Sequence, residues 1–205
     1  MIDLVTILAF IPAALALNLT PGADMMFCFG QGLRAGPKPA IAASAGISLG
    51  VLVHILLAGI GLGAVVAAQP WVFDTIRWMG LGYLIFLAWG AVRNGAVSPE
   101  TPHCTTKHAF RDGFLVNLTN PKVIFFVLAF IPQFVDPAGA VLVQFLLLGS
   151  VIVLGGFVIN AAVGIFAGGA GRRLVNDPRF SKIIGWVTGG IFAALALRLA
   201  IMERA

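Results

Sequence analysis

Two charged side chains lie deep within apolar runs of this sequence, each shortly after a proline. Asp24 follows Pro21 by three residues, and Lys122 follows Pro121 by one. Their surroundings nearly repeat: Asn18-Leu19-Thr20-Pro21-Gly22-Ala23-Asp24 near the start, and Asn117-Leu118-Thr119-Asn120-Pro121-Lys122 past the middle. A charge at bilayer depth costs at least ~2.5 kcal/mol on insertion scales, so each needs a partner or a task. Thr20-Pro21 and Asn120-Pro121 each read as an N-cap followed by proline at the first helical position. Each pair then starts a half-helix whose free N–H groups and positive dipole end face the break. Anionic groups bind at such ends. An acid in the first turn suits the dipole, but a lysine opposes it, so helix stability does not account for Lys122.

Two arrangements meet these constraints. In one, Asp24 and Lys122 form a permanent ion pair that ties two halves of the molecule together. In the other, a ligand separates them, with Lys122 and a half-helix N-terminus facing a carboxylate and Asp24 facing an ammonium. A zwitterionic amino acid carries both groups. The candidate substrate-binding residues are therefore Asn18, Thr20, Pro21, Gly22 and Asp24 at the first break, and Asn117, Asn120, Pro121 and Lys122 at the second. Asp24 is also a candidate proton carrier, as intramembrane carboxyl groups are. His54, in the middle of the next apolar run, is the other relay candidate, because an imidazole titrates near neutrality; an interhelical hydrogen bond explains it equally well.

Other polar positions have plainer explanations. Gln144 and Asn160 are weaker candidates, and interhelical hydrogen bonds explain them more often than not. Gly46 and Gly50 form a small-x-x-x-small pair for close helix packing, within the chain or between two chains. Trp71, Trp78, Tyr83 and Trp89 suit interface anchors and core. His103, Cys104 and His108 cluster in a polar stretch without a fourth ligand and read as a solvated loop, so no metal site is expected. There is no phosphate-binding glycine loop and no convincing Ser/His/Asp arrangement, which leaves no footing for an enzyme or a cofactor. Cys28 and Cys104 lack C-x-x-C spacing and suggest neither a disulfide framework nor a redox carrier.

The elements that must hold these residues are membrane helices. The 205-residue chain is 60% hydrophobic and 10% charged, against roughly 25% charged in a soluble domain. No soluble fold hides that much apolar surface, so an all-α integral membrane protein is expected. At about 20 residues per span, six transmembrane helices fit with short loops. They fall near 4–34, 39–66, 71–92, 113–134, 137–171 and 181–201, the first and fourth interrupted by the proline motifs. The start lacks a basic n-region and carries Asp3, so it does not read as a cleavable signal peptide.

Basic residues set the orientation. The odd loops hold Arg34 and Lys38; Arg93, Lys107 and Arg111; and Arg172, Arg173, Arg179 and Lys182. The opposite side holds Arg204, with Arg77 and Arg198 near span ends. The excess marks the odd loops as cytoplasmic and both termini as outside. The net charge of +5 then reflects one basic membrane face, not nucleic-acid binding. Residues 1–92 form a first three-helix repeat, 93–112 a polar cytoplasmic linker and 113–205 a second repeat. With three spans each, the repeats have inverted topology, both start with a broken helix, and their shared site is expected near the midplane.

At this level the chain resembles the LysE/RhtB family of bacterial amino-acid exporters, of the homoserine, threonine and leucine efflux type. The resemblance rests on Thr20-Pro21-Gly22-Ala23-Asp24, Gly61-Leu62-Gly63, and Phe114-Leu115-Val116-Asn117-Leu118-Thr119-Asn120-Pro121-Lys122 with Pro132-Gln133-Phe134. Ala23 stands where the family often has a second proline, which leaves the first break less rigid. The resemblance implies a multi-pass, six-span protein of the bacterial inner membrane, a homodimer in the lipid bilayer. It further implies export of amino acids or close derivatives by proton antiport. Residues and resemblance together point to a secondary transporter. The alternatives are an exporter of another small solute or cation, which calls for clustered carboxylates or thiols, and a non-transporting scaffold, which has no use for buried charges beside broken helices.

Overall fold

The computed structural model describes residues 2–68, 75, 78–79, 81–82, 85–86, 88–90, 92–93, 108–167 and 178–201. Among them are seven α-helices: α1 (Leu4–Leu19), α2 (Ala23–Ala35), α3 (Pro37–Ala68), α4 (Ala109–Leu118), α5 (Pro121–Ala129), α6 (Val141–Phe166) and α7 (Pro178–Ile201). A short 3-10 helix, Ile131–Phe134, follows α5. The isolated positions between 75 and 93 are helical. The rest of the expected third span, with Trp71, Asp74, Arg77 and Tyr83, lies outside the described residues. So do 94–107 of the expected linker, with His103, Cys104 and Lys107, and also Arg172, Arg173 and Arg204.

Two helices, α3 and α6, are long and apolar enough to cross a membrane, and two more candidate spans are bent pairs. The pair α1 and α2 bends by 52°, and α4 with α5 and its 3-10 extension bends by 54°. Both breaks fall at the proline motifs. Helix α4 begins at Ala109, so residues 109–112 of the expected linker are helical, with Arg111 paired to Asp112 at 3.1 Å.

The causes of the two breaks differ. At the second, Asn120 is the N-cap of α5: its Oδ1 accepts from the Lys122 backbone N–H at 3.0 Å, and Pro121 takes the first helical position, as expected from the sequence. At the first, the expectation for Thr20 fails. Thr20 is the C-cap of α1, its N–H and its hydroxyl both donating back to the Ala16 carbonyl, at 3.1 and 2.6 Å. The residue before a proline is held extended, and Thr20 has ψ 118°. That geometry ends a helix as readily as it precedes one. Gly22 is the N-cap of α2, which starts at Ala23.

As a result Asp24 and Lys122 occupy the same position, the second residue of their respective half-helices. The two broken helices run antiparallel. Phe10, early in α1, packs edge-on to Phe134, beyond the end of α5, at 5.2 Å between ring centroids. The start of α5 meets the end of α1, and the start of α2 meets the end of α4.

Helices α3 and α6 form a frame around this crossing. They pack antiparallel: Gly59 lies against Phe145, Gly149 against Ile55 and Gly164 against Ala40, and Ser44 donates to the Phe157 carbonyl at 2.8 Å. Helix α4 lies on α3 in parallel, with Gly113 on Ala43 and Gly50 on Asn117. A Cβ on Gly46 would collide with the Phe110 carbonyl. The Gly46/Gly50 pair thus serves packing within the chain, between α3 and α4. The main core gathers around Phe10, Ile55, Phe126, Phe130, Phe145 and Leu148, all buried. Away from it, Leu57, Ile60, Leu154, Val158 and Phe166 are exposed. A broad exposed apolar surface of this kind suits lipid, not water.

Candidate functional site

Proline removes one backbone donor from each broken helix. In a continuous helix the Leu17 carbonyl would take the N–H of residue 21, and the Asn117 carbonyl that of residue 121; both positions are proline. Each freed oxygen finds a side-chain nitrogen from elsewhere in the fold. Lys122 Nζ donates to the Leu17 carbonyl at 3.2 Å and to the Thr20 carbonyl at 2.9 Å. His54 Nε2 lies 3.3 Å from the Asn117 carbonyl, which also accepts the Asn120 N–H at 2.9 Å. A carbonyl only accepts, so the His54 contact is a hydrogen bond when Nε2 carries the proton.

The position of Lys122 resolves its apparent misfit. It opposes the dipole of its own helix but caps the negative end of α1, where cations are favoured. Gly22 makes room for it: a Cβ at residue 22 would stand 3.1 Å from Nζ. Asp24 reaches across in the reciprocal direction. Its Oδ2 accepts from Asn117 Nδ2, near the end of α4, at 2.8 Å. A carboxylate cannot donate, so this contact also fixes the orientation of the Asn117 amide.

Asp24 and Lys122, although both buried, form no salt bridge within 4.0 Å; each charge is held by the other broken helix instead. Of the two arrangements compatible with the sequence, the permanent ion pair is absent. Among the described residues three buried atoms here have no hydrogen-bond partner within 3.5 Å, Asp24 Oδ1, Asn117 Oδ1 and Asn120 Nδ2, although the Asn120 amide stands close enough to interact with the Asp24 carboxylate. Leaving a buried polar atom unpaired costs about 1–3 kcal/mol. Such a concentration at one place calls for an explanation beyond folding.

Beside these groups is a cavity of about 20 Å³, just large enough for a water molecule. Its polar lining comes from Asn18, Thr20, Asp24, Ser48, Lys122 and Asn160. Helices α1, α2 and α5 thus converge on it with both frame helices. Asn117, Asn120 and His54 do not line it. Asn117 and Asn120 back the site, and His54 sits behind them on the Asn117 carbonyl without a hydrogen bond to Asp24. Asn18, expected at the site, anchors α1 to α6 through Nδ2 and the Ile152 carbonyl at 3.1 Å. Pro21, Gly22 and Pro121 shape the breaks.

Both breaks and the cavity fall inside a match to the LysE-type translocator family that covers residues 15–203. The chain belongs to this family. It is accordingly a membrane translocator and not an enzyme. An uncharacterized membrane protein of Vibrio cholerae is 33% identical over 94% of this chain and 95% of its own length. The homoserine/homoserine lactone efflux protein of Salmonella typhimurium is 30% identical over 96% of this chain and 97% of its own. The leucine efflux protein of Enterobacter sp. is 28% identical, with 95% and 94% covered. No solved structure matches.

In this translocator the sequence alone did not single out Ser48, and it ranked Asn160 as a weaker candidate, better explained by an interhelical hydrogen bond. A signal was present for both. Ser48 lies one helical turn from Ser44, and Asn160 one turn from Gly156, so each extends a small or polar stripe along its helix.

Proposed function

We propose that the protein is a secondary transporter that exports small neutral or basic amino acids, or close derivatives, from the cytoplasm by proton antiport. The observation that carries this reading is the pair of opposite, unpaired charges at the cavity between two helix breaks. Lys122 uses two of the three N–H groups of its ammonium on carbonyls, and Asp24 keeps Oδ1 free. A zwitterion therefore finds one donor for its carboxylate and one acceptor for its ammonium, and it replaces the bonds between the breaks as they part. Such charge-assisted bonds are the strong ones.

The relatives named for homoserine, homoserine lactone and leucine efflux support amino acids as the cargo. The cavity holds little more than a water, so an amino acid enters only as the broken helices part. That motion is the rocking of two halves around a midplane site. Six spans, two inverted repeats and a homodimer complete the reading. The antiparallel breaks support the repeat, and Lys38 and Arg111 lie near the starts of the parallel helices α3 and α4, which supports a basic cytoplasmic face. Asp24 is the proposed proton site, and His54 stands behind it on the Asn117 carbonyl.

The test is growth of an exporter-deficient bacterium on inhibitory amino acids and analogues, with and without overexpression. Overexpression protects against a small-amino-acid class, and Lys122→Ala abolishes protection at unchanged membrane abundance. Equal protection by Lys122→Ala would remove the site assignment.

A further inference from the structure

The polar groups on the wall of the cavity away from the breaks have no use inside the protein. Asn160, on α6, is 6% exposed and lines the cavity. Among the described residues its amide has no hydrogen-bond partner. The same holds for the hydroxyl of Ser48, on α3, which lines the same cavity. Neighbouring polar side chains on the same helices behave otherwise: Ser44 donates to Phe157 at 2.8 Å, and Gln144 both donates to and accepts from the Asp136 backbone at 2.8 and 2.9 Å. Both side chains line the cavity and, among the described residues, bond no neighbouring helix. The interhelical hydrogen bond that the sequence offered for Asn160 is not made.

We propose that Ser48 and Asn160 form a side-chain subsite that makes the transporter select amino acids with a neutral hydrogen-bonding group two to three bonds beyond Cα, against aliphatic ones of the same size. The inference rests on the export reading and deepens it. The two charges at the breaks match the α-carboxylate and α-ammonium, and the remaining uncharged donors and acceptors match an uncharged hydroxyl or amide. Neither residue can neutralise a charged side chain. The rest of the wall, with Ile47, Val51, Ile152 and Val153, is apolar and suits a short methylene stem. A site built to hydrogen-bond a substrate hydroxyl rejects the analogue lacking it, because its own polar groups are left unpaired. An apolar pocket discriminates weakly in the opposite direction.

Homoserine and norvaline differ only by hydroxyl against methyl at the end of the side chain. Reconstituted vesicles loaded with either amino acid measure the ratio directly. The wild-type protein is expected to export homoserine at least about tenfold faster than norvaline. Asn160→Leu is expected to bring the ratio to within about threefold, chiefly by raising norvaline export, which a merely misfolded variant cannot do. Ser48→Ala, the loss of one oxygen atom, moves the ratio in the same direction by a smaller factor. If the wild type exports neither amino acid, the export reading falls and the subsite with it. If it exports both and neither variant changes the ratio, the subsite alone is overturned.

Discussion

Lys122 donates through Nζ to the Leu17 carbonyl at 3.2 Å, the oxygen that Pro21 leaves without its helical donor. A residue 105 positions away thus completes the hydrogen bonding of the first broken helix. The reciprocal bond, from Asn117 of the second broken helix to Asp24 of the first, spans 93 positions at 2.8 Å. The two breaks hold each other. Any motion that separates them must exchange these bonds for others, and a zwitterionic ligand supplies both replacements.

Removing the lysine therefore affects folding as well as transport. Lys122→Met leaves the Leu17 and Thr20 carbonyls unpaired in a buried site and is expected to lower stability by about 1–3 kcal/mol. Thermal unfolding in detergent measures the loss, and vesicle transport is expected to fall to background. A variant of full stability would show that these bonds contribute nothing.

Restoring the missing donor separates the two roles. Pro21→Ala returns an N–H opposite the Leu17 carbonyl and allows α1 to run on through the break. The expected outcome is unchanged or raised thermal stability with export reduced at least about tenfold, since the first bend no longer forms. Retained export in a stable Pro21→Ala variant would mean that the break is not part of the site.

The breaks themselves were legible because proline and its polar neighbours interrupt apolar runs, and Asn120 announced its cap. Thr20 was misread because threonine before proline is extended whether it closes a helix or opens one. The true N-cap, Gly22, has no side chain to signal it. The target of Lys122 was not legible because it lies a hundred residues away, and only the packing of α5 on α1 creates it. The Gly46/Gly50 pair was legible as a contact but not as one within the chain. Ser48 was lost because a serine in an apolar helix, even one turn from Ser44, looks like packing until a cavity opens beside it.

Tight backbone approach makes the frame intolerant of small additions. Gly46→Ala places a methyl on the Phe110 carbonyl, which belongs to the α4 backbone and cannot swing away. Overpacking of this kind costs about 1–3 kcal/mol, and a lower melting temperature and lower membrane abundance are expected. Gly61→Ala, with nothing among the described residues within 4 Å of the added carbon, is the matched control and is expected to behave as wild type. Equal effects at both positions would count against the α3–α4 packing.

Asp24→Asn keeps a hydrogen-bond acceptor for Asn117 but removes the charge. The variant is expected to fold, and an imposed proton gradient should no longer accelerate its export. Vesicle efflux with and without that gradient measures the difference. Undiminished stimulation in Asp24→Asn would move proton coupling to another group.

The central claim is that Asp24 and Lys122 bind the two charges of one amino acid. Its most direct test is competition for homoserine export in reconstituted vesicles. 4-Hydroxybutanoate lacks the ammonium and 3-aminopropan-1-ol lacks the carboxylate, and the rest of each molecule is homoserine. Unlabelled homoserine is predicted to compete, with each single-charge analogue weaker by about tenfold or more. Competition by either analogue as strong as that of homoserine itself would contradict the account.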